Sequence, residues 1–178
     1  MTRALIFFAI SIFCFQAAFC EFQQSFFNPP FYFQEDSKWC NVTLGYGPAT
    51  IGCCGCLLTS VSSMLAGQGV YVNGVIPDPI VMNDWLLAND GFIDGWGFVW
   101  ESIEALGFKL EGFVNDTAST IQALNEGKRI FLHVNHNNHY VLALKDTGYG
   151  YEVMDPYFNG RIWNYTEVSV ATIYSYLN

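Results

Sequence analysis

Downstream of Gly55, apolar residues recur at helical spacing. Leu57, Leu58, Val61, Met64 and Leu65 fall at i, i+1, i+4, i+7 and i+8, which predicts a helix ended by Gly67 and Gly69. A second helix is predicted to open at Asp78-Pro79, with Asp78 as cap and Pro79 in the first helical position. It should turn Trp85, Leu86 and Leu87 inward and stop near Asn89-Asp90-Gly91. Residues 100–106 read as a third short helix closed by Gly107, and Ser119 with Gln122 as the capping box of a fourth that stops at Glu126-Gly127. The period then changes to two. Residues 129–134 and 139–144 read as strands, and Asp146-Thr147-Gly148-Tyr149-Gly150 as a hairpin connection into a strand over residues 151–154. Residues 161–165 add a further strand before a terminal helix carrying Val170, Ile173 and Tyr176. Helices first and an antiparallel sheet second is an α+β order, not an alternating βαβ one.

Ahead of the first helix the pattern is irregular. Gly45, Gly47, Pro48 and Gly52 break any periodicity over residues 34–55, and residues 21–33, with Pro29 and Pro30, form an extended aromatic arm. Residues 1–20 read as a signal peptide: Met1-Thr2-Arg3 is a short basic region, residues 4–15 are apolar, and small residues precede a cleavage position after Ala18 or Cys20. The domain expected to fold is therefore residues 34–178, in a chain that is secreted or held in the endolysosomal lumen. The whole 178-residue sequence is 52% hydrophobic and 13% charged, enough apolar surface for a core and too little charge for a disordered protein. Its formal charge of −9 repels phosphate backbones and anionic lipid, so neither nucleic acid nor, after leader removal, a membrane is an expected partner. A monomer is expected.

Export changes the reading of the cysteines. Of six, Cys14 and Cys20 lie in the leader, leaving Cys40, Cys53, Cys54 and Cys56. A Cys53–Cys54 pair is discounted because adjacent cysteines are poorly placed for a disulfide. Cys40 with Cys53 or Cys54 then leaves one thiol over. Sequons at Asn41, Asn115 and Asn164 point to exposed, glycan-accepting positions.

Cys56 is the candidate nucleophile. It starts the best-defined helix, where unpaired N–H groups and the helix dipole favour a thiolate, and Gly55 leaves room for a substrate backbone to approach. Its alternative is a buried half-cystine. A thiolate needs a base, and the three histidines are His133, His136 and His139. On a strand, His133 and His136 point to opposite sides, so no three-His zinc site and no metal or cofactor is expected. His133 reads as a satisfied sheet residue and His136 as a solvated turn residue. His139 opens a strand, where its ring can project from the sheet's end as general base and acid. Asp155 ends the neighbouring hairpin strand, 155 − 139 = 16 residues on, within reach of the His139 ring.

Three blocks resemble a known family. They are Gln34-Glu35-Asp36-Ser37-Lys38-Trp39 with Leu44-Gly45, then Thr50-Ile51-Gly52-Cys53-Cys54-Gly55-Cys56-Leu57-Leu58-Thr59-Ser60, then His139-Tyr140-Val141-Leu142 with Met154-Asp155-Pro156. In this order they are similar to papain-like cysteine peptidases of the bacteriocin-leader-processing, double-glycine type, in their broader "peptidase C-thirty-nine-like" branch. The resemblance implies a papain-like fold, its Cys-bearing helix packed on a C-terminal antiparallel sheet, and hydrolysis of a peptide or protein substrate through a thioester. It also implies Cys56 as nucleophile, His139 as base, Asp155 as the group that orients it and Gln34 as a side-chain donor to the oxyanion. Cys53 and Cys54, beside the nucleophile, depart from the family pattern.

Other readings stay open. Cys53-Cys54-Gly55-Cys56 has the C-x-x-C spacing of thiol–disulfide oxidoreductases, although those motifs follow a strand in a βαβ unit. A peptidoglycan amidase of the NlpC or CHAP type shares the Cys-before-His order. An inactive peptidase-like binding domain would keep the core while Cys56 sits in a disulfide.

Overall fold

A computed structural model describes residues 27–136, 138–158 and 162–177. The expected signal peptide, the start of the aromatic arm and Arg161 lie outside the described residues. In chain order the elements are α1 (Ile51–Cys54), α2 (Cys56–Gly67), α3 (Pro79–Ala88), β1 (Phe92–Ile93), β2 (Gly97–Phe98), a 3-10 helix (Trp100–Leu106), β3 (Phe108–Val114), α4 (Thr117–Asn125), β4 (Arg129–Val134), β5 (His139–Asp146), β6 (Tyr151–Met154), β7 (Ile162–Tyr165) and β8 (Val170–Tyr176). The class is α+β. One six-stranded sheet runs β3-β8-β4-β5-β6-β7, with every neighbouring pair antiparallel, and β1-β2 is a separate hairpin.

Strand alternation divides the interior into two layers. Phe131, Leu142, Met154 and Tyr174 turn to the side carrying α2 and α3, where Val61, Met64, Leu65, Met82 and Leu86 are buried against the same cluster. Ile130, Leu132, Val141, Ala143 and Val153 turn the other way, onto Ala123 and Leu124 of α4. The sheet is thus covered on both faces, with α2 packed on β5.

Three expectations need correcting. Residues 170–176 are not a helix but β8, which sits inside the sheet between β3 and β4. Val170, Ile173 and Tyr176 do recur at near-helical spacing, yet the run is rich in β-branched and aromatic residues, and pairing on both sides outweighs the weaker periodicity. Asp116, not Ser119, caps α4, accepting from the Ser119 backbone N–H at 2.8 Å, while Gln122 reaches forward to Glu126. Leu87 is 42% exposed whereas Leu86 is fully buried, because residues 100° apart on a helix cannot all face one core. β3 and the β1-β2 hairpin are additional to the sequence reading, and β3 precedes α4, so the helix-then-sheet segregation is incomplete. Asp78 caps α3 as expected, accepting from Ile80 and Val81 N–H, both at 2.9 Å.

The described part of the aromatic arm packs on the domain. Phe27, Phe31 and Tyr32 join the α2-side core, and the Arg129 guanidinium lies 3.8 Å from the Phe27 ring centroid. All three sequon asparagines are exposed. Among the described residues no helix is long and apolar enough to cross a membrane.

Candidate active site

Cys56 is the first residue of α2, and the short turn α1 feeds into it through Gly55. Gly55 serves the backbone rather than an approaching substrate: a Cβ there would lie 2.5 Å from the Ile51 carbonyl oxygen, so only glycine lets α1 abut α2. The sequence reading of Gly55 as open approach space is corrected accordingly. From Leu58 to Leu65 the whole circumference of α2 is buried, its small Thr59, Ser60, Ser62 and Ser63 included. That encasement holds the first turn, and with it the Cys56 sulfur, in a fixed place.

His139 is the first residue of β5, paired with Val134 of β4, and the β5-β6 hairpin brings Asp155 alongside. The His139 Nε2–H donates to Asp155 Oδ1 at 2.7 Å; the His139 side chain is 12% exposed and that of Asp155 is fully buried. The Cys56 side chain lies close enough to the same imidazole to act on its charge. With Nε2 engaged, Nδ1 is the ring nitrogen left to meet the sulfur. Asp155 is itself held: Oδ1 also accepts from the Tyr157 backbone N–H at 2.9 Å, and Oδ2 accepts from the Tyr165 hydroxyl at 2.6 Å. Tyr165 lies on β7, and Asn135 also acts on its phenol.

The electrostatics follow from this chain of bonds. Burial works to lower the His139 pKa, but hydrogen bonds to Asp155 and Cys56 and their negative charges outweigh it, leaving it raised to about 9. Burial likewise works to raise the Asp155 pKa, and the bonds from His139 and Tyr165 reverse it, holding the carboxyl below its ordinary value. Burial first, then the bond to Asp155, pushes the Tyr165 phenol up, so it stays a donor. Tyr165→Phe should therefore cost about 1.5 kcal/mol, the scale of a hydrogen bond to a charged group, seen as a lower urea midpoint with an unchanged slope.

Gln34 is brought to the same place. Its backbone N–H donates to the Pro156 carbonyl at 2.8 Å and its side-chain Nε2 to the Gly52 carbonyl at 2.8 Å, so it bridges the strand end carrying Asp155 and the turn leading to Cys56. The sequence separation of 22 (56 − 34) is closed by the fold, and Gln34 is only 3% exposed. The other histidines go elsewhere. The His133 ring stacks on Tyr140 at 4.0 Å, and His136 is exposed in the β4-β5 turn. Among the described residues no three His, Cys, Asp or Glu side chains converge as a metal-binding group.

The cysteines require a correction. Cys53 and Cys54, whose pairing was discounted, have their sulfurs in contact as a bonded pair on the exposed turn α1, while Cys40 and Cys56 are free thiols. Cys56 is thus not a half-cystine. The C-x-x-C alternative would need Cys53 to pair with Cys56 and a strand leading into the motif; the pairing is different, and the turn before α1 contributes only an isolated Thr43–Thr50 bridge.

A thiol, an imidazole and a carboxylate in series can pass a proton between sulfur and ring while the carboxylate balances the ring's charge. No family model, curated protein or solved structure matches the chain.

Proposed function

We propose that this chain is a secreted cysteine peptidase with a papain-like site, Cys56-His139-Asp155, assisted by Gln34. The observation that carries the reading is the shared imidazole: His139 Nε2 bonds Asp155 at 2.7 Å, and the free Cys56 side chain acts on the same ring. The alternative of an inactive binding domain needs Cys56 tied up in a disulfide, and the free thiol speaks against it.

The Cys56 thiolate attacks the carbonyl carbon of a peptide bond, and the electron pair of the C=O moves onto oxygen. The Cys56 backbone N–H and the second Nε2 hydrogen of Gln34 donate to that oxyanion. As the C–N bond breaks, His139 gives its Nδ1 proton to the leaving amine. A thioester remains. Neutral His139 then takes a proton from water, hydroxide displaces the thiolate, and the acid product departs with the site restored. Asp155 keeps the ring oriented and favours its charged form throughout.

The pH dependence follows from the raised pKa of His139. The protonated ring is needed to supply the amine's proton, so kcat/KM should fall on the alkaline side with a midpoint near pH 9. The same shift affects stability. The folded chain holds a proton that the unfolded one releases near 6.5, so this contribution is complete below about pH 6.5 and is lost as pH rises through about 9. A rate profile and urea midpoints across that window check both signs. The function is tested by incubating the chain with an unstructured peptide and an epoxide inhibitor of cysteine peptidases. Stoichiometric adduct on Cys56 with loss of hydrolysis is expected; hydrolysis that survives full Cys56 modification would refute it.

A further inference from the structure

Where the aromatic arm runs into residues 34–40 lies a hollow of about 330 Å³ in which Cys56, His139, Asp155 and Gln34 take no part. Tyr32, Asp36, Lys38, Trp39, Ile76 and Asp78 line it. The Tyr32 and Trp39 rings meet nearly perpendicular, their centroids 5.7 Å apart, and the Trp39 indole N–H donates to the Phe33 carbonyl at 2.8 Å, which fixes that wall. Both carboxylates are held by backbone donors through one oxygen only. Asp36 Oδ1 accepts from the Lys38 N–H at 3.0 Å, and Asp78 Oδ1 accepts from the Ile80 and Val81 N–H groups that it caps, leaving Oδ2 of each for a ligand. Among the described residues neither carboxylate pairs with a Lys or Arg. Lys38, the base in the lining, instead holds its ammonium 5.8 Å from the Trp39 ring centroid.

We infer that this hollow binds the guanidinium of an arginine, either the free amino acid or a residue within a peptide chain. Two half-buried acids against one base leave the lining net negative, in a chain whose formal charge is already −9, so its field draws a cation. That Lys38 rests over Trp39 shows that the aromatic wall accepts a positive group. A guanidinium suits the place better than an ammonium. It is planar and weakly hydrated, so one face can lie on a ring while its edge donates to carboxylate oxygens. Ile76, 44% exposed, offers apolar surface to the methylene stem. Burial first, then the Asp78 charge, push the Tyr32 phenol up, so that wall stays uncharged. The volume is at the lower end for a binding site and fits a single side chain. A neutral sugar could stack on the rings and donate hydroxyls, but it would leave both negative charges uncompensated.

The test is isothermal titration calorimetry of the intact mature chain with Nα-acetylarginine methylamide and its citrulline and lysine counterparts. Citrulline keeps the shape of arginine and loses its charge. The arginine compound should bind about tenfold more tightly than the citrulline one and about threefold more tightly than the lysine one. Asp78→Asn keeps the helix cap, because an amide oxygen still accepts from Ile80 and Val81, yet it should weaken arginine binding about tenfold, as should Asp36→Asn. Lys38→Ala should strengthen it about threefold by clearing a competing cation from Trp39. Free arginine separates the two sources: equal affinity makes the amino acid itself sufficient, and weaker binding, caused by its own α-carboxylate, places the ligand within a chain. Equal binding of the arginine compound and either counterpart, no binding of the arginine compound, or binding of N-acetylglucosamine in its place overturns the site. So does an affinity that both aspartate variants leave unchanged. The comparison of ligands on the wild-type chain is decisive on its own should a variant fail to fold.

Discussion

Cys56→Ala should lower peptide turnover by at least about 10⁴-fold, because no other group can form the acyl bond and only substrate positioning and oxyanion donors remain. His139→Ala should cost a similar factor, since the sulfur then loses its proton acceptor and the leaving amine its proton donor. The two losses should not add. A nucleophile and base that act as one unit give a double variant little worse than either single one. Cys56 is one side chain on a helix whose neighbours from Leu58 to Leu65 are buried, so the fold should survive the change to Ala, and circular dichroism alongside progress curves separates lost chemistry from lost structure. Equal activity in the Cys56→Ala chain would end the proposal.

The second large effect belongs to Asp155. Its carboxylate is fully buried and accepts from His139, Tyr165 and the Tyr157 backbone. Asp155→Ala should reduce kcat/KM by roughly 10³–10⁴-fold, because the ring loses its orientation and its balancing charge. It should also destabilise the chain by about 3 kcal/mol, since donors that met the carboxylate are left unpaired in a buried place. Asp155→Asn separates the two roles. An amide oxygen can still accept from Nε2–H, but the charge that helps raise the His139 pKa is gone. The alkaline midpoint should move down from about 9, with a smaller loss of rate than in the alanine variant. If both variants keep the wild-type pH profile, the carboxylate is a structural acceptor only.

What could be read in advance depended on sequence distance. α2, α3 and the β5-β6 hairpin carry their signals locally, in periodicity, the Asp78-Pro79 start and the Gly148-Tyr149-Gly150 turn, and all three lie where those signals place them. The His139–Asp155 pair was legible for the same reason, since a hairpin of 16 residues sets its register through its own turn. β8 was not. Its neighbours β3 and β4 lie far back in the chain, and nothing in residues 170–176 announces those partners. β3 was hidden by its charged Lys109 and Glu111 and by the irregular register near Gly112. Tyr165, the residue that clamps Asp155 from β7, was missed because a lone tyrosine in a short strand looks like any cross-strand aromatic; only the pairing of β7 with β6 brings it there. The Cys53–Cys54 contact runs against the general geometric expectation that adjacent cysteines are poorly placed to pair, which does not specify how one helical turn presents two particular sulfurs.

The central claim is that the Cys56 sulfur and the His139 imidazole act as a coupled pair. Brief exposure of the native, non-reduced chain to iodoacetamide, followed by peptide mapping, tests it most directly. Cys56 should be carboxamidomethylated ahead of Cys40, and its labelling near neutral pH should slow at least about tenfold in His139→Ala, where the thiolate has lost its ion-pair partner. A Cys56 found in a disulfide, or one that reacts no faster than Cys40 and is indifferent to His139, would contradict the account.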